Sequence, residues 1–328
     1  ERIYMSSGFE ALNLHPQLKQ AIDALGFKEM TPIQQKVLKF TLAGHDAIGR
    51  AQTGTGKTAA FGLPVLNQLD SNSKSVQAII LCPTRELCLQ IAKELESFSA
   101  DMRGVRVQAV YGGADIVKQI RGLKDNPQIV VGTPGRTMDL IKRGALKIND
   151  ITWTVLDEAD EMLNMGFLED METILSQLPE ERQTVMFSAT MPDNIRQLAQ
   201  TLLQKPETVR VSPPSSTADR VEQSLCMVGS QAEKRPLTLD LLEQQEQPGR
   251  TLIFTRTKHG ANRLASFLTG KDHPASAIHG DKSQGTRERM LREFRSGETP
   301  ILVATDIAAR GIDVKDVQLV INYDLPEE

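Results

Sequence analysis

The sequence is short of most features that mark a membrane, secreted or metal-scaffold protein. No apolar run approaches the roughly 20 residues a helix needs to cross a bilayer. No secretory h-region stands at the N-terminus. The three cysteines, Cys82, Cys88 and Cys226, are odd in number and form no CxxC pair, which argues against a disulfide framework and against a zinc site. Reduced, buried thiols in a cytoplasmic protein are the expectation. A basic excess is missing too. The formal net charge is −4, whereas nucleic-acid-binding domains usually carry a clear surplus of Lys and Arg. Any nucleic-acid contact must then be local, made by backbone amides and a few arginines. The first residue is Glu1, not Met, so a trimmed or processed N-terminus is expected.

What is present is ordinary globular material: 40% hydrophobic and 24% charged residues. At 328 residues the chain is too long for one ordinary core, and two domains are expected. Between about 46 and 211, short apolar runs alternate with amphipathic stretches. The runs are 46–49, 78–82, 105–110, 128–131, 153–156 and 183–187. Runs apolar on both faces and separated by helical patterns predict a parallel sheet covered by helices. A helical extension of about 40 residues precedes them. The Pro/Ser-rich segment 212–220 reads as a linker. Runs at 224–228, 251–255, 275–279, 301–305 and 319–323 predict a second α/β domain on the same plan. The domains are therefore 1–211 and 221–328. Gly62 and Pro64 disfavour a helix interior, so a kink or early break is expected after the loop at 51–58.

Two segments carry the chemistry. Ala51-Gln52-Thr53-Gly54-Thr55-Gly56-Lys57-Thr58 reads as a phosphate-cradling loop. Its glycines let backbone N–H groups wrap phosphate oxygens, and the next helix adds its positive end. Lys57 should reach the β- and γ-phosphates, and the Thr58 hydroxyl should coordinate Mg²⁺. The strict pattern begins with Gly, and this chain has Ala51; an ordinary Gly/Thr turn before a helix is the competing reading. Val155-Leu156-Asp157-Glu158-Ala159-Asp160 reads as a buried strand ending in carboxylates. Asp157 can hold Mg²⁺ through water, and Glu158 can orient or deprotonate the attacking water. An acidic strand-to-helix turn is the bland alternative. Together the two segments supply the parts for nucleotide hydrolysis.

With Ser188-Ala189-Thr190 in this order and spacing, the set resembles the DEAD-box ATP-dependent RNA helicases over nearly the whole chain. The first domain is similar to bacterial cold-shock and ribosome-assembly members, whereas 274–324 is equally similar to eukaryotic ones. The resemblance implies two tandem RecA-like α/β domains, the second incomplete at its C-terminus, and ATP and Mg²⁺ as cofactors. It gives Lys57, Thr58, Asp157, Glu158, Ser188 and Thr190 catalytic roles, with Thr58 and Asp157 on the metal. Gln52, Thr53, Gly54, Thr55 and Gly56 line the nucleotide. In Gly26–Gln34, Phe27 stacks on adenine and the Gln34 amide reads its edge with one donor and one acceptor. Phe9 either supports this segment or is plain core packing. Gly311 and Asp313 reach the ATP ribose.

The same resemblance implies an RNA-facing set of Pro83, Thr84, Arg85, Gly113, Thr133, Pro134, Gly135 and Arg136 in the first domain. Arg256, Gly280, Gln284, Arg287 and Thr305 extend it in the second. Small hydroxyls, glycine amides and arginines suit phosphates and sugar edges without base reading. At Cys88 the family usually has Ala, and at Thr137 Leu. His279 reads better as a structural strand-end histidine than as a catalytic one. The family's later His-Arg…Gly-Arg motif does not occur within these 328 residues. The implied mechanism is closure of two domains on ATP and RNA, opening short duplexes locally. No membrane partner is expected; protein partners would act through tails. A non-hydrolytic RNA clamp is the competing class, separated by multiple-turnover phosphate release. A DNA translocase is separated by comparing RNA with DNA stimulation.

Overall fold

The structure, a computed structural model, describes residues 8–51, 54–211, 221–245, 249–305, 314 and 316–325. The chain forms two compact units, Glu1–Val221 and Glu222–Glu328. The linker expected at 212–220 lies outside the described residues.

In the first unit seven strands form one parallel sheet. They are β1 (Ala47–Arg50), β2 (Ala78–Leu81), β3 (Val107–Val110), β4 (Ile129–Gly132), β5 (Trp153–Leu156), β6 (Gln183–Ser188) and β7 (Glu207–Arg210). Their order is β3-β4-β2-β5-β6-β1-β7. The helices are α1 (Pro16–Ala24), α2 (Pro32–Thr41), α3 (Lys57–Gln68), α4 (Arg85–Phe98), α5 (Ile116–Leu123), α6 (Pro134–Lys142), α7 (Ala159–Asn164), α8 (Leu168–Ser176) and α9 (Asp193–Leu202). Strand alternation splits the apolar residues between two faces. Ile80, Val131, Val155 and Phe187 pack with Phe61, Ile91 and Leu95 on one side. Ile79, Val130, Leu156 and Met186 pack with Met162, Ile174 and Ile195 on the other. Burial on both faces is why these strands read as continuous apolar runs.

The second unit holds α10 (Lys234–Glu243), β8 (Arg250–Phe254), α11 (Lys258–Thr269), β9 (Ala275–Ile278), α12 (Gln284–Ser296), β10 (Ile301–Ala304) and β11 (Val317–Asn322). Its parallel sheet has the order β11-β8-β10-β9. Ile253, Val303 and Ala277 pack on Leu264 and Leu268. Phe294 and Leu302 form a second cluster across the sheet.

Four features depart from expectation for identifiable reasons. The helix after the phosphate loop does not break early: α3 continues through Gly62 and Pro64 to Gln68. A Cβ at Gly62 would come 2.7 Å from Leu95 Cδ2, so glycine is what lets α3 approach α4 this closely. Packing here outweighs propensity. The run 224–228 forms no strand. Leu225 and Met227 are exposed, at 76% and 86%, and no described strand pairs with the segment. Cys226 is consequently exposed, whereas Cys82 and Cys88 are buried as expected. Finally, β7 was not among the predicted runs, because only Val209 of its four residues is buried.

Candidate functional site

In a parallel α/β sheet the carboxyl ends of the strands all open on one edge, where ligands bind. The residues singled out from the sequence gather there. The loop after β1, Asp157 after β5 and Ser188 at the end of β6 occupy neighbouring strands, since β6 lies between β5 and β1. Along the same edge β2 leads to Pro83–Arg85, β4 to Thr133–Arg136 and β3 to Gly112–Gly113.

At the phosphate loop, Gly54 and Gly56 have φ of +79° and +86°, conformations that side-chain-bearing residues rarely adopt. Gly56 is the N-cap of α3, so Lys57 and Thr58 begin the helix. Gln52 and Thr53 lie outside the described residues. Lys57 is 6% exposed. Its Nζ lies 2.9 Å from Asp157 Oδ1 and 3.9 Å from Glu158 Oε1. Burial pushes the Lys57 pKa down, but Asp157, then Glu158, outweigh it and hold it above the usual 10.5. The group therefore stays an ammonium. Glu158 caps α7 in the left-handed region, at φ +55° and ψ +52°. That conformation costs a non-glycine residue about 1–2 kcal/mol. Backbone strain of this kind clusters at functional sites.

The last carboxylate of the run is tied to the β6 end. Asp160 Oδ2 accepts hydrogen bonds from Thr190 N and Thr190 Oγ1, both at 2.8 Å. Ser188 Oγ donates to Thr190 O at 2.6 Å. Burial alone would raise the Asp160 pKa. The hydrogen bonds from Thr190, and after them Ser188 and Ala189, hold it below the ordinary carboxylate range. Asp160 received no role from the sequence, although it stands within the acidic run.

Oxygen donors suited to Mg²⁺ are present. Asp157 Oδ1 is buried, with the Lys57 ammonium 2.9 Å away. Thr58 stands next to Lys57 in the first turn of α3. No group of three or more His, Cys, Asp or Glu among the described residues could hold a metal.

The segment before α2 closes on the phosphate loop. Gln34 is 2% exposed. Its Oε1 accepts from Thr31 N at 2.8 Å and its Nε2 donates to Gly56 O at 3.0 Å. Thr31 Oγ1 donates to Thr55 O at 2.8 Å. Each end of the Gln34 amide thus already holds one internal bond, a link the sequence did not reveal. Phe27 is half-buried between Phe9 and Phe98, with edge-on ring contacts at 5.8 and 5.9 Å. Phe9 itself is buried at 4% exposure and belongs to the core.

On the other half of the edge, Thr84 caps α4, its side chain accepting from Leu87 N. Pro83, Thr133 and Pro134 are buried and Gly135 is exposed. Gly113 has a φ of +79°, which favours glycine, and a Cβ there would displace the Arg85 guanidinium that lies over it. Arg136 donates to Ala114 O and to Gln119 Oε1. In the second unit, Arg256 follows β8, Gly280 follows β9 and Thr305 follows β10, again at one sheet edge. Arg256 N donates to Asp324 Oδ2 at 3.1 Å, and Lys234 Nζ lies 2.9 Å from Asp324 Oδ1. Arg287 is buried on α12. The side chain of Gln284, and both Gly311 and Asp313, lie outside the described residues.

The chain is similar to known proteins over most of its length. Residues 31–198 match the DEAD/DEAH box helicase family and residues 233–328 the helicase conserved C-terminal domain. The ATP-dependent RNA helicase CshA of Listeria monocytogenes is 48% identical over 98% of this chain and 61% of its own length. The DEAD-box ATP-dependent RNA helicase CshA of Geobacillus kaustophilus is 47% identical over 98% of this chain and 68% of its own. The chain thus spans about three fifths to two thirds of these relatives. Among solved structures, S. cerevisiae Dbp5 bound to RNA and ADP BeF3 superposes with a TM-score of 0.87 at 33% identity, over 98% of this chain and 81% of that one. A DEAD box protein from Methanococcus jannaschii gives 0.60 at 41% identity, over 98% and 86%.

Proposed function

The chain belongs to the DEAD/DEAH box helicase family, and we propose that it is an RNA-dependent ATPase that opens short RNA duplexes or remodels RNA–protein complexes. One observation carries the reading: the sheet edge of the first unit is divided. Neighbouring strands β5, β6 and β1 lead to the carboxylates, the Ser188–Thr190 segment and the phosphate-cradling loop, and neighbouring strands β3, β4 and β2 lead to the glycines, hydroxyls and arginines suited to a nucleic-acid backbone. Two binding chemistries thus share one rigid sheet, which suits coupling of hydrolysis to RNA binding.

ATP enters as a partner exchange. Lys57 leaves its ion pair with Asp157 for the β- and γ-phosphates, and the amides after Gly54 and Gly56 wrap the oxygens. Thr58 and Asp157 would hold magnesium, which would supply charge neutralisation at the phosphates. Glu158 orients and deprotonates the attacking water. Asp160, bonded to Thr190, links this chemistry to the end of β6. Phe27 and Gln34 select adenine, and Gly311 and Asp313 contact the ribose.

RNA is held by Pro83, Thr84, Arg85, Gly113, Thr133, Pro134, Gly135 and Arg136, and by Arg256, Gly280, Gln284, Arg287 and Thr305. Contacts of this type go to phosphates and 2′-hydroxyls, so recognition is nearly blind to base sequence but sensitive to the sugar. No helix among the described residues is long and apolar enough to cross a membrane; a cytoplasmic location is part of this proposal, and protein partners acting through tails are a further part.

The test is phosphate release at multiple turnover with single-stranded RNA, with DNA of the same sequence, and with neither. Strong stimulation by RNA alone is expected. A burst of one turnover would favour an ATP-locked RNA clamp. Equal stimulation by DNA would defeat the assignment to RNA.

A further inference from the structure

We infer that Gln119 is a positioning residue for RNA binding, holding both ends of the Gly112–Gly113 loop in place. The inference rests on the RNA-binding reading above and assigns a role to a residue outside the motif set. Gln119 lies on α5 and is 6% exposed, unusual burial for an amide side chain. Its Oε1 accepts from Tyr111 N at 3.2 Å and from Arg136 Nη1 at 2.9 Å. Its Nε2 donates to Tyr111 O at 3.0 Å.

The pattern has a physical reading. A residue in extended backbone presents its N–H and C=O to the same side, and an adjacent strand normally answers both. β3 is an edge strand of the sheet and, among the described strands, pairs with β4 alone. At Tyr111, the residue after β3, the Gln119 amide answers both groups in place of a strand. It fixes the chain at the entry to Gly112–Gly113. The second lone pair of Oε1 receives Arg136, whose two Nη atoms both reach Ala114 O at 3.2 Å. Ala114 is the exit of the same loop. One amide and one guanidinium therefore bracket the loop, and the amide aims the guanidinium. Only a side chain with both an acceptor of two bonds and a donor can do this. A guanidinium has five donors, so these three contacts leave capacity for a phosphate.

The loss of the amide should weaken RNA binding without touching nucleotide binding, because Lys57 and Asp157 stand beyond the ends of other strands, β1 and β5. The experiment uses the full chain. RNA affinity is read by anisotropy of a fluorescein-labelled oligouridylate in the presence of a non-hydrolysable ATP analogue. Nucleotide affinity is read with a fluorescent ATP analogue, and folding by thermal melting. Gln119→Leu, of similar volume, is expected to weaken RNA on the order of tenfold and to leave nucleotide affinity within about twofold. Arg136→Ala added to Gln119→Leu should cost little more, since the two act as one unit, whereas Arg287→Ala should cost the same in either background.

A variant that binds RNA as the wild type does overturns the inference. So does one that loses RNA and nucleotide affinity together, which marks a general packing role, and so do additive losses for Gln119 and Arg136. Should Gln119→Leu fail to fold, Gln119→Glu replaces it. The carboxylate still accepts from Tyr111 N and Arg136 but cannot donate to Tyr111 O. A several-fold loss of RNA affinity at unchanged nucleotide affinity supports the inference, and no loss overturns it. Absence of RNA binding in the wild type would instead sink the RNA-binding reading itself.

Discussion

Lys57 Nζ sits 2.9 Å from Asp157 Oδ1, across the end of the intervening strand β6. The phosphate-loop cation therefore rests on the carboxylate that ends β5. Burial of both groups makes the contact strong, and removal of one partner would strand the other in a poorly solvated place. Nucleotide binding must replace one anion with another at the same ammonium. Asp157→Asn should remove this competitor and tighten binding of ATP measured without Mg²⁺, while hydrolysis with Mg²⁺ is lost. Titration of a fluorescent ATP analogue in EDTA checks the first part; weaker binding would contradict the exchange.

Glu158→Gln is expected to lower turnover by about 10²–10⁴, the usual worth of a positioned base, with ATP binding preserved. The amide keeps the shape and the φ of +55° but cannot take the proton. Glu158→Gly should also abolish turnover, but relief of the left-handed backbone offsets the entropy cost of glycine, so its melting temperature should not fall. Near wild-type hydrolysis in the Gln variant would refute the role of Glu158.

Gln34→Ala should do more than erode base choice. The side chain links Thr31 N to Gly56 O, so its loss frees the phosphate loop as well as the base edge. Affinity for ATP should fall by about tenfold, and the preference over GTP should shrink, because a polar edge left unpaired is the source of discrimination. Equal ATP and GTP affinities in the intact protein would end the selectivity argument. A Gln34→Ala variant whose ATP affinity is unchanged would end the loop argument.

Much of this was legible in the sequence because parallel strands buried on both faces leave apolar runs, and because loops at their carboxyl ends carry short motifs. Ile79–Leu81 and Asp157–Glu158 are read this way directly. Other features depend on contacts between distant segments. Glu158 is left-handed because the chain must turn from β5 into α7 there, and nothing in the residue type announces it. The Gln34–Gly56 and Gln119–Tyr111 bonds join residues whose pairing only the fold decides. The run 224–228 has strand composition, yet a strand needs a partner. Pro64 breaks a local rule inside α3 because the packing around Gly62 and Leu95 overrides it.

Thr137→Val should stabilise the first unit. Thr137 is fully buried on α6, and its hydroxyl has no hydrogen-bond partner. An unmet buried hydroxyl costs about 1–3 kcal/mol, and valine keeps the shape without it. A gain of about 1 kcal/mol would raise the melting temperature by roughly 2–4 °C in a unit of this size. A lower melting temperature would show that the hydroxyl is bonded in solution, and the argument would fail.

His279 should make the second unit sensitive to mild acid. The ring is 4% exposed. Nε2 stands 3.1 Å from Asn262 Oδ1 and, facing an acceptor, is the nitrogen that carries the proton. Nδ1 is buried with no partner, so a second proton would have no acceptor. Burial first, then the Lys282 charge, push the pKa below 6.5; Asp281 pulls it up, and Lys258 and His259 push it down again. The unfolded chain therefore takes up a proton near 6.5 while the folded one does not until lower pH. Between those two values the unfolded state binds more protons, so stability falls as the pH drops from about 6.5 and levels off below the folded value. Thermal melts of the wild type and His279→Gln across this range check it. The variant, whose amide can still donate to Asn262, should lose part of the acid sensitivity. Parallel curves for the two proteins would show that His279 is protonated as easily in the fold as out of it, and the orphaned Nδ1 would then have no energetic consequence.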